Sequence, residues 1–292
     1  MSRITIDPER CVRDGLCVRV CEKVFSRETI DSVPLVAHED SCNGCGHCAL
    51  ICPTGAIWQE ESPPELIHPV EPRLMPTYEQ VREMIVTRRS VRNFQDRRVE
   101  REVLEKVIDG ACYAPSAKNS RSTEYIVVTD KALLAEIAAI TAQWLGDVSR
   151  KLRNPLWRRL YMLYGEKDVE EIKRWVNQFD LIAERARNHW DVILFKAPAV
   201  LFFHARRSIR FGETNAALAV QNAVYTASSL GLGSFFTGYV VAACSREKRL
   251  PLLLGLPKGH ILYGGLALGY PELGFPTWIE RTAQHITWRD GT

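Results

Sequence analysis

The segment CNGCGHCALICP, residues 42–53, places Cys42, Cys45, Cys48 and Cys52 in the spacing C-x2-C-x2-C-x3-C-P. Thiolates are soft, anionic donors suited to iron, and tight turns through Gly44 and Gly46 let three of them converge on one centre. A second run, CVRDGLCVRVCE at 11–22, adds Cys11, Cys17 and Cys21 and puts Asp14 where the spacing calls for a fourth thiol. Only Cys112 and Cys244 of the nine cysteines lie outside these runs. Such clustering points to a bound cofactor in a reducing compartment rather than to disulfides. Iron–sulfur clusters are the first reading and structural zinc the competing one. Cys112 and Cys244 have no partners at ligand spacing and are expected to be buried as small hydrophobes. His47 is expected to serve a turn or support a ligand, and the remaining histidines form no motif with metal spacing.

These residues need a scaffold, and 292 residues with 46% hydrophobic content suffice for two domains. The net charge of +3 is too small to argue for nucleic acid. Its distribution is uneven, since residues 1–60 hold six Lys/Arg against nine Asp/Glu. No run of about eighteen apolar residues occurs, and MSRITIDPER lacks the apolar core of a secretion signal, so a cytoplasmic location is expected. Residues 61–76 carry five prolines with little periodicity and read as an extended linker between a domain at 1–60 and another at 77–292. Thr77 and Gln80 stand in capping-box spacing before a helix over 77–89. Further helices are expected near 100–112, 130–145 and 213–230, with strands at 124–129, 199–204 and 260–269.

The first sixty residues resemble the two-cluster bacterial ferredoxins, and short strands at 4–6, 33–37 and 56–58 fit the small sheet of that family. In such runs the fourth cysteine ligates the other cluster. The resemblance therefore implies that Cys42, Cys45 and Cys48 with Cys21 hold one [4Fe-4S] cluster. Cys11, Cys17 and Cys52 hold the other, with Asp14 at the remaining iron. Carboxylate oxygen is harder than thiolate and holds iron less firmly, so this second cluster is expected as [4Fe-4S] or [3Fe-4S]. A solvated turn Asp14 beside a permanent three-iron cluster is the alternative. Pro53 follows the family pattern, whereas Glu22 follows Cys21 where proline is usual.

TRRSVRNF at 87–94 crowds cations at a helix end, and arginine forks with a serine hydroxyl suit a phosphate. A solvated basic face is the bland alternative. Together with APSAKNSRSTEYIVV at 114–128 and SLGLGSFFTGY at 229–239, this segment resembles the FMN-dependent nitroreductase family over about 77–140 and 191–285. The resemblance implies an α+β protein, a nitroreductase-like mixed α/β sandwich preceded by the small ferredoxin-like iron–sulfur domain. It assigns the FMN phosphate and ribityl chain to Arg88, Arg89, Ser90 and Arg92, with Arg281 as a late basic contact. It places Pro115, Ser116, Ala117 and Asn119 against the flavin of a partner subunit, and Phe236, Thr237 and Gly238 beside the ring. A homodimer is implied. The stripe Ala216, Ala219, Val220, Ala223, Val224 and Ala227 fits its central helix, or else the core of a monomer.

An insertion at about 141–190 carries Trp144, Trp157, Trp175 and Trp190, read as a lid over the flavin or as packing of an added helical pair. Within it, RKLRNPLWRRLYMLYG at 150–165 sets cations before Leu160–Tyr164, and contact with a membrane surface is the lesser reading. Clusters pass electrons singly and FMN stores two, so the combination predicts an electron transformer. The leading expectation is a reductase that takes electrons from ferredoxin or another low-potential donor and reduces a small nitroaromatic or conjugated acceptor. The same cofactors run in the oxidising direction, and a non-catalytic electron-transfer module, are the alternatives.

Overall fold

Two helical turns in the first seventy residues are too short to hold themselves together, so the chain must brace them by other means. In a computed structural model describing residues 3–164, 169–282 and 285–290, helices α1 (Leu16–Val20) and α2 (His47–Ile51) have five residues each. Each starts on a left-handed glycine, Gly15 at φ 71° and Gly46 at φ 77°. An L side chain there would be strained. Strands β1 (Ile4–Ile6), β2 (Phe25–Ser26), β3 (Leu35–Val36) and β4 (Ile57–Gln59) form two antiparallel pairs, β1 with β4 and β2 with β3. The core here is Ile4, Cys17, Val24, Phe25, Cys48, Ala49 and Ile57. So few apolar groups, two of them cysteines, leave a domain of this size in need of a metal or another staple. The unit formed this way comprises Met1–Pro76 together with Ser116–Arg121.

The second unit comprises Thr77–Pro115 and Ser122–Thr292. Helix α3 (Tyr78–Thr87) opens on the expected capping box, Thr77 and Gln80 satisfying each other's backbone amides. Helices α4 (Arg101–Cys112) and α5 (Lys131–Arg153) flank strand β5 (Glu124–Val128) in sequence. Helix α5 runs past its expected end near 145 because Arg150, Lys151 and Arg153 favour a C-terminus there and Pro155 follows. After α6 (Pro155–Tyr164) and α7 (Val169–Arg187) come β6 (Ala199–Arg206), α8 (Gly212–Ser229), β7 (Gly233–Phe236), α9 (Gly238–Cys244), α10 (Arg249–Leu253) and β8 (His260–Gly269). The sheet order is β5-β6-β8-β7, with every neighbour antiparallel.

Strand β6 is buried on both faces, which is why it reads as an unbroken apolar run. Val200 and Phe202 belong to one core with Ile137, Leu145 and Val240, whereas Leu201 and Phe203 belong to another with Val107 and Ala223. The small-residue stripe of α8 fills this second core, with Ala216, Ala219, Ala223 and Ala227 buried. Those four alanines pack within the chain, and α4 approaches so closely that a Cβ on Gly110 would run into Thr226 Oγ1. Cys244 is buried as expected, but Cys112, at the end of α4, is exposed. No described helix is long and apolar enough to cross a membrane. The side chains of Leu160–Tyr164, on which the membrane-surface reading rested, lie outside the described residues, as does Gly165.

Candidate functional site

In the first unit the two runs repeat the same residue spacing. Cys11, Asp14, Gly15, Cys17 and Cys21 repeat the spacing of Cys42, Cys45, Gly46, Cys48 and Cys52, and each helix carries its cysteine at the second position. Asp14 thus occupies the place of Cys45. Cys11, Asp14, Cys17 and Cys52 line one cavity, walled by Ile6 and Ile57. Asp14 also accepts a hydrogen bond from Leu16 N at 3.1 Å, so its carboxylate is held at the start of α1. Burial and the nearby Cys11 and Asp14 raise the Cys17 thiol pKa. On the other side, burial with Cys42 and Cys45 as neighbours pushes Cys48 up to about 11. Burial, Cys45 and Cys42 likewise raise Cys21, against the opposing pull of Lys23. Burial would raise Cys52 too, but the Thr54 hydroxyl and the Ala56 amide outweigh it. Sulfurs crowded in this way favour thiolate only when a cation compensates them, which is the chemistry of a metal cluster.

The sulfurs also receive hydrogen bonds, from Gly44 N and Gln59 Nε2 to Cys42 Sγ at 3.3 Å each and from Ala56 N to Cys52 Sγ at 3.2 Å. Gln59 was not singled out from sequence. It is 1% exposed, and its Oε1 is buried without a protein partner among the described residues, so its amide is committed to the sulfur. Donors to cluster sulfur favour the more negative, reduced state. Gln59→Leu is expected to lower the potential of the cluster at Cys42 by about 40 mV, if the lost bond differs by about 1 kcal/mol between redox states. An EPR-monitored redox titration reads this directly, and an unmoved potential would show the contact to be packing only. His47 is exposed at the start of α2, away from a ligand's burial.

In the second unit the first and third motifs meet along β7. Ser90 bridges Ser234, Val91 N donates to Ser234 O at 3.0 Å, and a Cβ on Gly233 would lie 2.7 Å from Val91 Cβ. Arg89 spends its guanidinium on the carbonyls of Val86 and Arg88, both at 2.8 Å, closing α3. Arg88 is the half-buried C-cap of that helix. Arg92 lies over Phe195 and Phe235, 5.8 and 5.6 Å from their centroids. Beyond β7, Phe236 is half exposed, whereas Thr237 is 3% exposed with Oγ1 buried and unpartnered among the described residues. Thr237 N donates to Gly265 O at 2.8 Å, and Gly238 begins α9.

Other candidates fall elsewhere. Pro115 is exposed in the second unit, but Ser116, Ala117 and Asn119 group with the first, where Asn119 Nδ2 donates to Gly44 O at 2.8 Å. Arg281 is exposed in the irregular C-terminal stretch. Of the four insertion tryptophans only Trp190 lines the large cavity, about 1260 Å³, between α5, α7 and the 189–198 loop, and none of the candidate flavin residues does. Trp175 instead packs tilted against Phe179, 6.3 Å between centroids, and Phe179 meets Tyr239, the last residue of the third motif, edge-on at 6.0 Å.

An antiparallel sheet between two helical layers, joined to a unit that gathers thiols into two sets, defines an oxidoreductase of two parts. Residues 85–270 match the nitroreductase family, and residues 3–53 match the 4Fe-4S dicluster domain. The chain belongs to the nitroreductase family. A Methanothermobacter thermautotrophicus relative whose name pairs NADH dehydrogenase with NAD(P)H nitroreductase is 27% identical over 191 residues, 65% of this chain and 77% of its own. A Bacteroides fragilis nitroreductase with bound FMN shares the fold at TM-score 0.55 and 20% identity, covering 72% of this chain and 99% of its own. An FMN-dependent nitroreductase of Clostridium difficile does so at TM-score 0.52 and 20% identity, covering 72% and 100%.

Proposed function

We propose that the protein is an FMN- and iron–sulfur-dependent reductase. Electrons arrive singly from ferredoxin or another low-potential donor and leave in pairs to a small nitroaromatic or conjugated acceptor. The observation that carries this reading is the fusion of a dicluster domain to a nitroreductase domain in one chain. When bound, the clusters supply one-electron transfer and FMN supplies two-electron storage with hydride delivery from its ring.

The residues present fit both groups. Cys11, Asp14, Cys17 and Cys52 would hold one cluster and Cys21, Cys42, Cys45 and Cys48 the other. Ser90, Arg88 and Arg92 would bind the flavin phosphate and ribityl chain, with Arg89 supporting the turn rather than reaching the ligand. The orphaned Thr237 hydroxyl, with Phe236 and Gly238 beside it, would line the ring. Pro115, Ser116, Ala117 and Asn119 would reach a second copy's flavin in a homodimer, and Arg281 would add a late charge. The Trp175–Phe179–Tyr239 series supports an aromatic wall that excludes water near the third motif.

The name borne by the archaeal relative favours NAD(P)H as a direct flavin donor as the second reading. Stopped-flow reduction separates the two. In a Cys17→Ser/Cys48→Ser protein that retains its flavin, reduction by a chemically reduced ferredoxin is expected to fall at least roughly 100-fold, the scale of losing a positioned transfer route. Rapid flavin reduction by NAD(P)H in that same protein would make the proposed electron route wrong.

A further inference from the structure

We propose that Glu124, His204 and His260 form a binding site for a divalent transition-metal cation of the zinc class, fastening three strands of the sheet. The site involves none of the cluster cysteines or candidate flavin residues. Glu124 lies on β5 directly opposite His204 on β6, and His260 begins β8. His204 Nδ1 and His260 Nδ1 are 3.0 Å apart, and His260 Nδ1 is 3.9 Å from Glu124 Oε1. All three donor atoms lie within 4.8 Å of one another. His204 is 3% exposed and the His260 side chain 6%, whereas the Glu124 side chain is 55% exposed.

The donor set and its spacing suit a metal. Two imidazole nitrogens and one carboxylate oxygen are borderline and hard donors of the kind zinc accepts with three protein ligands and a water. Nitrogens bound at about 2.0–2.1 Å stand roughly 2.9–3.4 Å apart across right-angled to tetrahedral geometries, and the observed pair falls within this range. The half-exposed carboxylate lies on the solvent side, which gives a cation a path to two imidazoles already buried.

A register change creates the juxtaposition. Along β6 and β8, Phe203 pairs with Gly264 but His204 pairs with Leu262, so Tyr263 is an extra residue at a bulge. In the unshifted register His204 would face Tyr263, and His260 would point to the opposite side of the sheet. With the bulge, His260 lies two residues from the partner of His204 and on the same face.

The test is a ZnCl2 titration of the cluster-loaded, full-length protein, with uptake followed by metal analysis and zinc K-edge X-ray absorption. The expected result is one zinc per chain in a shell of nitrogen and oxygen at about 2.0–2.1 Å without sulfur, and a melting temperature that rises with zinc. His260→Ala is expected to weaken zinc uptake at least tenfold and to abolish the thermal shift while iron content stays unchanged. Glu124→Gln, at an exposed position, is expected to weaken uptake without disturbing the fold. Zinc in a sulfur shell near 2.3 Å would place it on the cluster cysteines and overturn the proposal. So would the absence of stoichiometric uptake, which would leave the imidazoles joined by a simple N–H···N bond.

Discussion

Asp14→Cys is expected to raise the iron content of anaerobically purified protein by roughly one atom per chain and to remove any EPR signal of an oxidised three-iron cluster. The basis is positional. Asp14 and Gly15 stand where Cys45 and Gly46 stand in the other half, each before a five-residue helix whose second residue is a cysteine. A cysteine at 14 would follow the backbone that already presents Cys45. It would also exchange a hard oxygen, now shared with Leu16 N, for a soft sulfur in a cavity lined by Cys11, Cys17 and Cys52. The largest change should appear under mild oxidation, when a carboxylate-held iron is lost and a thiolate-held one is kept. Identical iron content and spectra in the two proteins would remove Asp14 from the ligand set.

Gly233→Ala is the second large effect, and it falls where the first and third motifs meet, in the proposed flavin cradle. The added Cβ would stand 2.7 Å from both Val91 Cβ and Cγ1, so β7 and the segment carrying Ser90 and Arg92 could not keep their present approach. Overpacking of this kind costs about 1–3 kcal/mol. If that cost falls on the cradle between the two motifs, FMN affinity drops by roughly tenfold for each 1.4 kcal/mol. Fluorescence of released FMN measures the affinity, and thermal unfolding measures the cost to the apoprotein. Full flavin retention with a lowered melting temperature would show that the contact between Val91 and Gly233 serves the fold alone.

What could be foreseen follows the range of the interactions involved. The cysteine runs act over a few residues, so their spacing was open to direct reading, and so was the Thr77–Gln80 capping box. Strands β6 and β8 announced themselves as apolar runs because they are covered on both faces, and β5 did so although only Val128 of it is buried. Strand β2, two residues long, and β7, opening on Gly233, carry no such run and are held by their partners. The alanine stripe of α8 has the same periodicity whatever it meets, and its packing against α4 within the chain appears only in the structure. The grouping of Glu124, His204 and His260 was invisible because it depends on a one-residue bulge between distant strands. Gln59 was missed for a related reason: a lone glutamine at a strand end has no signature until the sulfur beneath it is placed.

Cys52 belongs by sequence to the run at 42–53 and by position to the cavity lined by Cys11, Asp14 and Cys17. Any metal that fills that cavity consequently staples the two halves of the unit together, across the same span that β1 and β4 close by pairing. With this ligand set, loading one centre would fix a residue of the other half, and loss of its metal would free that residue. Maturation of the two centres is therefore expected to be coupled through Cys52 and Cys21, each supplied by the opposite half.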